Sequence, residues 1–162
     1  MKNTILVIAL LAGSLFGMQA QDISQHAIGV RLGDNDGVGA EVSYQLKLKE
    51  NNRLELDLGW RDNNNFNIIK VAGLYQWVFN LDRGFNWYVG PGAGVGFWSI
   101  DDNQFNNNND SGSFFFLAGD IGLEYNFEFP LLISIDFRTE IGFGDSNNGL
   151  DYDIGIGVRY QF

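Results

Sequence analysis

Ionisable residues recur two apart along this chain: Glu55 and Asp57, then Asp136, Arg138 and Glu140, then Asp151 and Asp153, with Arg159 beyond them. A spacing of two puts such groups on one face of a β-strand. Charges gathered on one face can pair into a salt-bridge core, or line a channel whose carboxylates favour cations. Other chemistry is thinner. His26, Ser24 and Asp22 could be drawn as a hydrolytic site, but His26 stands before the apolar alternation begins and no Gly-x-Ser-x-Gly elbow is present. Asp34, Asp36, Asp62, Asp101, Asp102, Asp110 and Asp145 lie among many Asn and offer hard oxygen ligands to calcium or magnesium. None of these runs follows the EF-hand spacing, and Asn, Asp and Gly are also ordinary turn residues. With no Cys and one His, thiolate chemistry and a multi-histidine metal site are excluded. The run Gly90-Pro91-Gly92-Ala93-Gly94 lacks the Lys-Ser/Thr and the helix of a phosphate loop. A net charge of −10 argues against nucleic acid. These residues therefore predict no enzyme, no cofactor and no metal site.

The elements that must carry the charges are strands. Residues 1–20, MKNTILVIALLAGSLFGMQA, have the basic start, apolar run and small final residue of a secretory signal peptide. No later apolar run is long enough to cross a bilayer as a helix. From residue 21 to 162 the chain is expected to form one domain written in alternation. In Arg53 to Arg61 the side chains of Leu54, Leu56, Leu58 and Trp60 point one way, and Arg53, Glu55, Asp57, Gly59 and Arg61 the other. The same rule predicts eight strands, around residues 27–32, 38–48, 53–61, 69–77, 86–97, 115–125, 133–143 and 151–162.

One face of every strand is bulky and uncharged. The other mixes Gly and Ser with Arg31, Glu41, Lys47, Glu55, Asp57, Lys70, Asp120, Glu124, Asp136, Arg138, Glu140, Asp153 and Arg159. On this reading Glu55 and Asp57 face Lys47 on one side and Lys70 on the other. Asp136, Arg138 and Glu140 lie between Glu124 and the Asp153 and Arg159 of the last strand. The Gly90, Gly92, Gly94 and Gly96 row gives room beside long charged side chains.

A soluble barrel would bury the bulky face, and a membrane barrel would bury the charged one. Three features favour the second. Trp60, Tyr75, Trp77, Trp87, Phe97, Tyr125, Phe143, Tyr152, Tyr160 and Phe162 sit near strand ends on the bulky face, as aromatic girdles do. A solvated strand gains nothing from four glycines. Acids and bases nearly balance on the charged face, as buried charges must. The connections also alternate: those starting at Asp34, Asp62, Ser99 and Gly144 are rich in Asn and Asp, whereas those at Lys49–Asn52, Phe79–Gly84 and Asn126–Pro130 are not. In an up-and-down barrel the first set shares one end.

The chain ends in GIGVRYQF, with Gly157, Tyr160 and Phe162. This resembles the terminal-strand signal that the barrel assembly machinery reads in outer-membrane proteins. With the leader and eight strands, the chain resembles the small OmpA/OmpX-type outer-membrane barrels. Gly84 to Phe97 resembles the glycine-rich strand of porin-family proteins of this size. The resemblance implies an all-β, eight-stranded antiparallel up-and-down transmembrane β-barrel, a monomer in outer-membrane lipid with both ends in the periplasm, and no peptidoglycan-binding module after Phe162. It implies a structural, envelope-integrity or surface-interaction role whose extracellular partner is unknown. The alternatives are a narrow pore or carrier of small hydrophobic molecules, and a lipid-modifying enzyme.

Overall fold

The computed structural model describes residues 23–33, 39–63, 66–100, 110–144 and 149–162, except the side chains at 61, 62, 63, 66, 100 and 110. The leader and Asp22 lie outside these residues, as do Asp34, Asp36, Asp101, Asp102 and Asp145. Asp62 and Asp110 are described by backbone alone.

Eight strands follow in order: β1 (His26–Gly33), β2 (Gly39–Lys49), β3 (Asn52–Asn63), β4 (Phe66–Asp82), β5 (Phe85–Ile100), β6 (Asp110–Asn126), β7 (Leu131–Phe143) and β8 (Leu150–Gln161). Each pairs antiparallel with the next, and β8 pairs with β1, which closes the barrel and leaves no sheet edge. Ile28 pairs directly with Tyr160. Followed the other way, its rung runs through Tyr44, Leu56, Gly73, Ala93, Leu117 and Ile141 to Leu150. Closure therefore displaces the register by 160 − 150 = 10 residues. For eight strands this shear implies a tilt of about 40° and a backbone radius of about 8 Å. The start of β1 and the end of β8 lie at one rim, the base, because Ala27 pairs with Gln161.

The central strands run longer than alternation suggests. β4 continues to Asp82, so the expected connection over Phe79–Gly84 contracts to Arg83-Gly84. Both residues have positive φ, 45° and 93°, the pattern of a type I′ hairpin turn. At Gly84 a Cβ would stand 2.6 Å from the Asn126 carbonyl oxygen, so this corner needs glycine for space as well as conformation. At the other rim β5 reaches Ile100 and β6 resumes at Asp110, well inside the connection expected from Ser99 to Gly112. Backbone ladders need no side-chain alternation, so pairing outlasts the pattern that reveals it.

The faces are sorted as in a barrel immersed in hydrocarbon. Arg31, Arg53, Arg138 and Arg159 are at most 1% exposed, while Ile135, Ile154 and Phe115 are 51%, 59% and 67% exposed. A soluble barrel with the same alternation would have these values exchanged. On the outer wall Trp60, Phe97, Phe143 and Tyr152 mark one end, and Trp77, Trp87, Tyr160 and Phe162 the other. Between Trp87 and Phe97 of β5 lie 97 − 87 = 10 residue steps, which at this tilt span about 25 Å, the height of an outer-membrane apolar band.

The lumen is not uniformly polar. Ala72, Leu74, Phe114, Phe116 and Ala118, with Trp98 against them, form an apolar cluster on the inner side of β4, β5 and β6. The rings of Phe116 and Phe114 lie over Gly94 and Gly96, where a Cβ would collide with them. This corrects the expectation for the β5 glycine row: Gly94 and Gly96 accommodate rings, Gly92 the Leu74 side chain and Gly90 the β4 backbone, rather than charged side chains. The β8 glycines do follow it, since Arg31 lies across Gly155 and Arg159 across Gly157.

Candidate functional site

A strand places alternate side chains inward, and a radius of about 8 Å lets an arginine cross most of the lumen. That reach organises the interior. Arg31 of β1 holds Asp136 of β7 through Nε (2.9 Å) and Nη2, Asp153 of β8 through Nη1 (2.6 Å), and Glu41 of β2 (3.2 Å). Arg138 of β7 reaches back over the lumen to Glu41 (3.3 Å), Asp57 (2.7 Å) and Glu55 (3.6 Å). Arg159 of β8 donates to Ser43 (2.9 Å), Ser134 (2.8 Å) and Glu55 (2.9 Å). Nearer the base, Arg53 pairs with Glu124 (2.7 Å), donates to Gln76 (2.6 Å) and lies 4.7 Å from the Tyr88 ring centroid. Toward the loop rim Lys70 pairs with Glu140 and lies over the Phe116 ring.

The residues predicted for the interior thus face the lumen, but with different partners. Glu55 and Asp57 do not meet Lys47 or Lys70. In register Glu55 stands opposite Gln45 and Leu74, and Asp57 opposite Ser43 and Ala72. Their cations come from β7 and β8, across the lumen. Lys47 is half-buried near the base, and Lys70 goes to Glu140. Arg138 does lie in register beside Asp153 on β8, but its β6 partner is Asp120 rather than Glu124, and Arg159 pairs with Leu132. Neutral amide and hydroxyl partners complete the set: Gln45 donates to Glu55 (2.6 Å), Gln76 to Asp120 (2.6 Å) and Asn86 to Glu124 (3.0 Å), while Ser43 and Ser134 receive Arg159. Their signal in the sequence is parity alone, because each sits on the charged face of its strand. Chemically, the arrangement neutralises and obstructs: guanidinium groups bridge three or four strands at once, and the aromatic cluster fills the remaining side.

Among the described residues, the side-chain partners of His26 are aromatic rings and a phenol hydroxyl, and the Asp22 of the drawn hydrolytic site lies outside them. The His26 ring faces outward at the base, with Nδ1 2.8 Å from the Tyr44 hydroxyl. It stacks on Tyr44 (6.0 Å between centroids) and on Phe162 (5.4 Å). The His26 and Phe162 backbones exchange two hydrogen bonds, at 3.0 and 2.9 Å. Tyr160 stacks on Phe162 in turn, so four rings tie β8, β1 and β2 across the closing seam. The His26→Ala variant is expected to lose about 1.5 kcal/mol, from two ring contacts and a stranded hydroxyl. His26→Phe should recover the stacking part. Urea unfolding in lipid vesicles measures both, and equal stability of the Ala variant and wild type would contradict the clasp.

A closed eight-stranded antiparallel barrel with ion pairs inside and aliphatic and aromatic side chains outside has the fold of a small outer-membrane β-barrel. Solved structures carry the same fold. The chain is similar to neisserial surface protein A, NspA, with a TM-score of 0.65 and 13% identity over 85% of this chain and 94% of that one. It is similar to the N-terminal β-barrel domain of Pseudomonas aeruginosa OprF, with a TM-score of 0.63 and 17% identity over 85% and 96%. It is similar also to Ail, the attachment invasion locus protein of Yersinia pestis, at 0.57 and 16% over 86% and 97%. No protein-family profile and no curated protein matches the chain by sequence.

Proposed function

We propose that this chain is an outer-membrane β-barrel with a structural or surface-interaction role, inserted as a monomer with its base toward the periplasm. Its lumen does not serve as a conduit. The observation that carries this reading is the occupancy of the lumen: Arg31, Arg138, Arg159 and Arg53 each join acids or amides of other strands while at most 1% exposed. Eight strands leave an interior that side chains can fill, and here they fill it with paired charges and rings. The outer wall supports membrane placement, because an exposed band of aliphatic residues between aromatic ends is favourable only against lipid. The strand ends that flank the Asn/Asp-rich connections lie at the rim opposite the base, which supports that rim as the face presented to the surroundings of the cell. On this reading His26 serves closure and no catalytic step is assigned.

The test joins two measurements on the full chain. Membrane fractionation with a heat-dependent gel shift is expected to find it in the outer membrane as a compact, heat-modifiable species. Planar-bilayer recording of the refolded protein is expected to show no unitary conductance. Steady unitary currents would turn the reading to a narrow pore, and recovery in the aqueous phase of a detergent partition would overturn membrane placement.

A further inference from the structure

Three polar atoms at the centre of the plug are buried without a hydrogen-bond partner, and all three belong to Arg138 or its neighbours: Arg138 Nε, Asp57 Oδ1 and Asp120 Oδ1. Their residues are 1%, 3% and 3% exposed. Asp57 already holds Arg138 Nη2 through its other oxygen at 2.7 Å. Nε–H shares one edge of a guanidinium with one of the two Nη2–H bonds, so a carboxylate held by Nη2 is a neighbour of the free Nε–H. Asp120 is the register partner of Arg138 on β6. Its other oxygen accepts from Gln76 at 2.6 Å, and it has no salt bridge among the described residues. Register pairing on adjacent strands brings Asp120 alongside the stem of Arg138, where Nε lies.

We propose that this point is a built hydration site, in which one water accepts from Arg138 Nε–H and donates to Asp57 Oδ1 and Asp120 Oδ1. The inventory selects the ligand. One inward donor disfavours a metal cation, and two inward carboxylate oxygens exclude an anion. One donor with two acceptors complements a water, and three partners is the usual number for a buried one. The site also answers an energetic demand, since a buried carboxylate with a single amide donor is costly. The water links Asp120 to Arg138 and thereby joins the Arg53–Gln76–Asp120 chain to the Arg31–Glu41–Arg138 group. This inference goes beyond the role proposed above, and it stands or falls independently of conductance or location.

High-resolution diffraction from the full chain tests it. The expected result is a density peak within about 3.2 Å of all three atoms. The peak should persist in Asp120→Asn and disappear in Asp120→Leu. Magnetisation transfer from water to the Arg138 Nε–H, measured by NMR on wild-type protein in nanodiscs, tests the same point even if the Leu variant fails to fold. A two-pronged Arg138–Asp57 pair with no intervening density would overturn the proposal. So would an anomalous peak there after a rubidium soak, or the absence of water transfer.

Discussion

Arg31→Ala is expected to be among the most damaging single truncations in the barrel. The guanidinium is fully buried and bonds Asp136, Asp153 and Glu41 on three different strands. Glu41 keeps Arg138, but Asp136 loses the only cation bonded to it among the described residues. Removing one partner of a buried pair costs about 3–5 kcal/mol, chiefly because the remaining charge stays desolvated. Urea unfolding in lipid vesicles, followed by tryptophan fluorescence, should therefore show a loss of that order. The mechanism makes a second demand. In the Arg31→Ala, Asp136→Ala double variant the stranded carboxylate is gone, and part of the stability should return. A coupling of about 1–3 kcal/mol between the two positions is expected. Strict additivity would mean that Arg31 acts by filling volume rather than by pairing. Loss of Lys70 should cost less, because it keeps a quarter of its side chain in solvent and among the described residues forms a salt bridge with Glu140 alone.

Which features were legible in the sequence follows from the physics of each. The strand count and the two faces were readable because a one-residue slip would turn Leu54, Leu56 and Leu58 inward and Glu55 and Asp57 outward, so parity is under strong physical constraint. Register was not readable to the same degree. Alternation alone pairs Glu55 and Asp57 with Lys47 and Lys70 on adjacent strands, whereas the closed cylinder brings Arg138 and Arg159 to them from across the lumen. Contacts across a lumen depend on shear and radius, and neither is encoded in any single strand. The aromatic cluster was hidden for another reason. Parity carried up from Asp120 and Glu124 puts Phe115 outside, where it is 67% exposed, but in Phe114-Phe115-Phe116-Leu117 both parities are apolar, so alternation gives no sign that Phe114 and Phe116, 6% and 2% exposed, form a cluster inside. Gly92, Gly94 and Gly96 of β5 carry the missing information, since each marks where a large side chain, Leu74, Phe116 or Phe114, lies across the strand. The closing clasp was half visible: Tyr160 and Phe162 stood out at the end of the chain, but their stacking on His26 requires the first strand to lie beside the last.

Adjacent positions on β7 provide the sharpest trial of the inside-out arrangement. Ile135 is 51% exposed on the outer wall, and its neighbour Ser134 is 2% exposed in the lumen. If the wall meets hydrocarbon, Ile135→Asp places a carboxylate in the apolar band. Arg or Lys near the midplane of such a barrel costs about 2–4 kcal/mol, and Asp somewhat less. Asp also loses the apolar surface of the isoleucine, so a total of about 2–3 kcal/mol is expected. Folding yield into vesicles, read by the heat-dependent gel shift, should fall accordingly. Ser134→Asp should behave differently. Arg159 Nη1 already donates to the Ser134 hydroxyl at 2.8 Å, so a carboxylate there extends an existing interaction with a buried cation. It should fold with a yield near wild type. One step along the chain thus reverses the outcome of the same substitution. Normal assembly of the Ile135 variant with failure of the Ser134 variant would mean that the faces are exchanged, and the ion-paired lumen would then have no place in the folded protein.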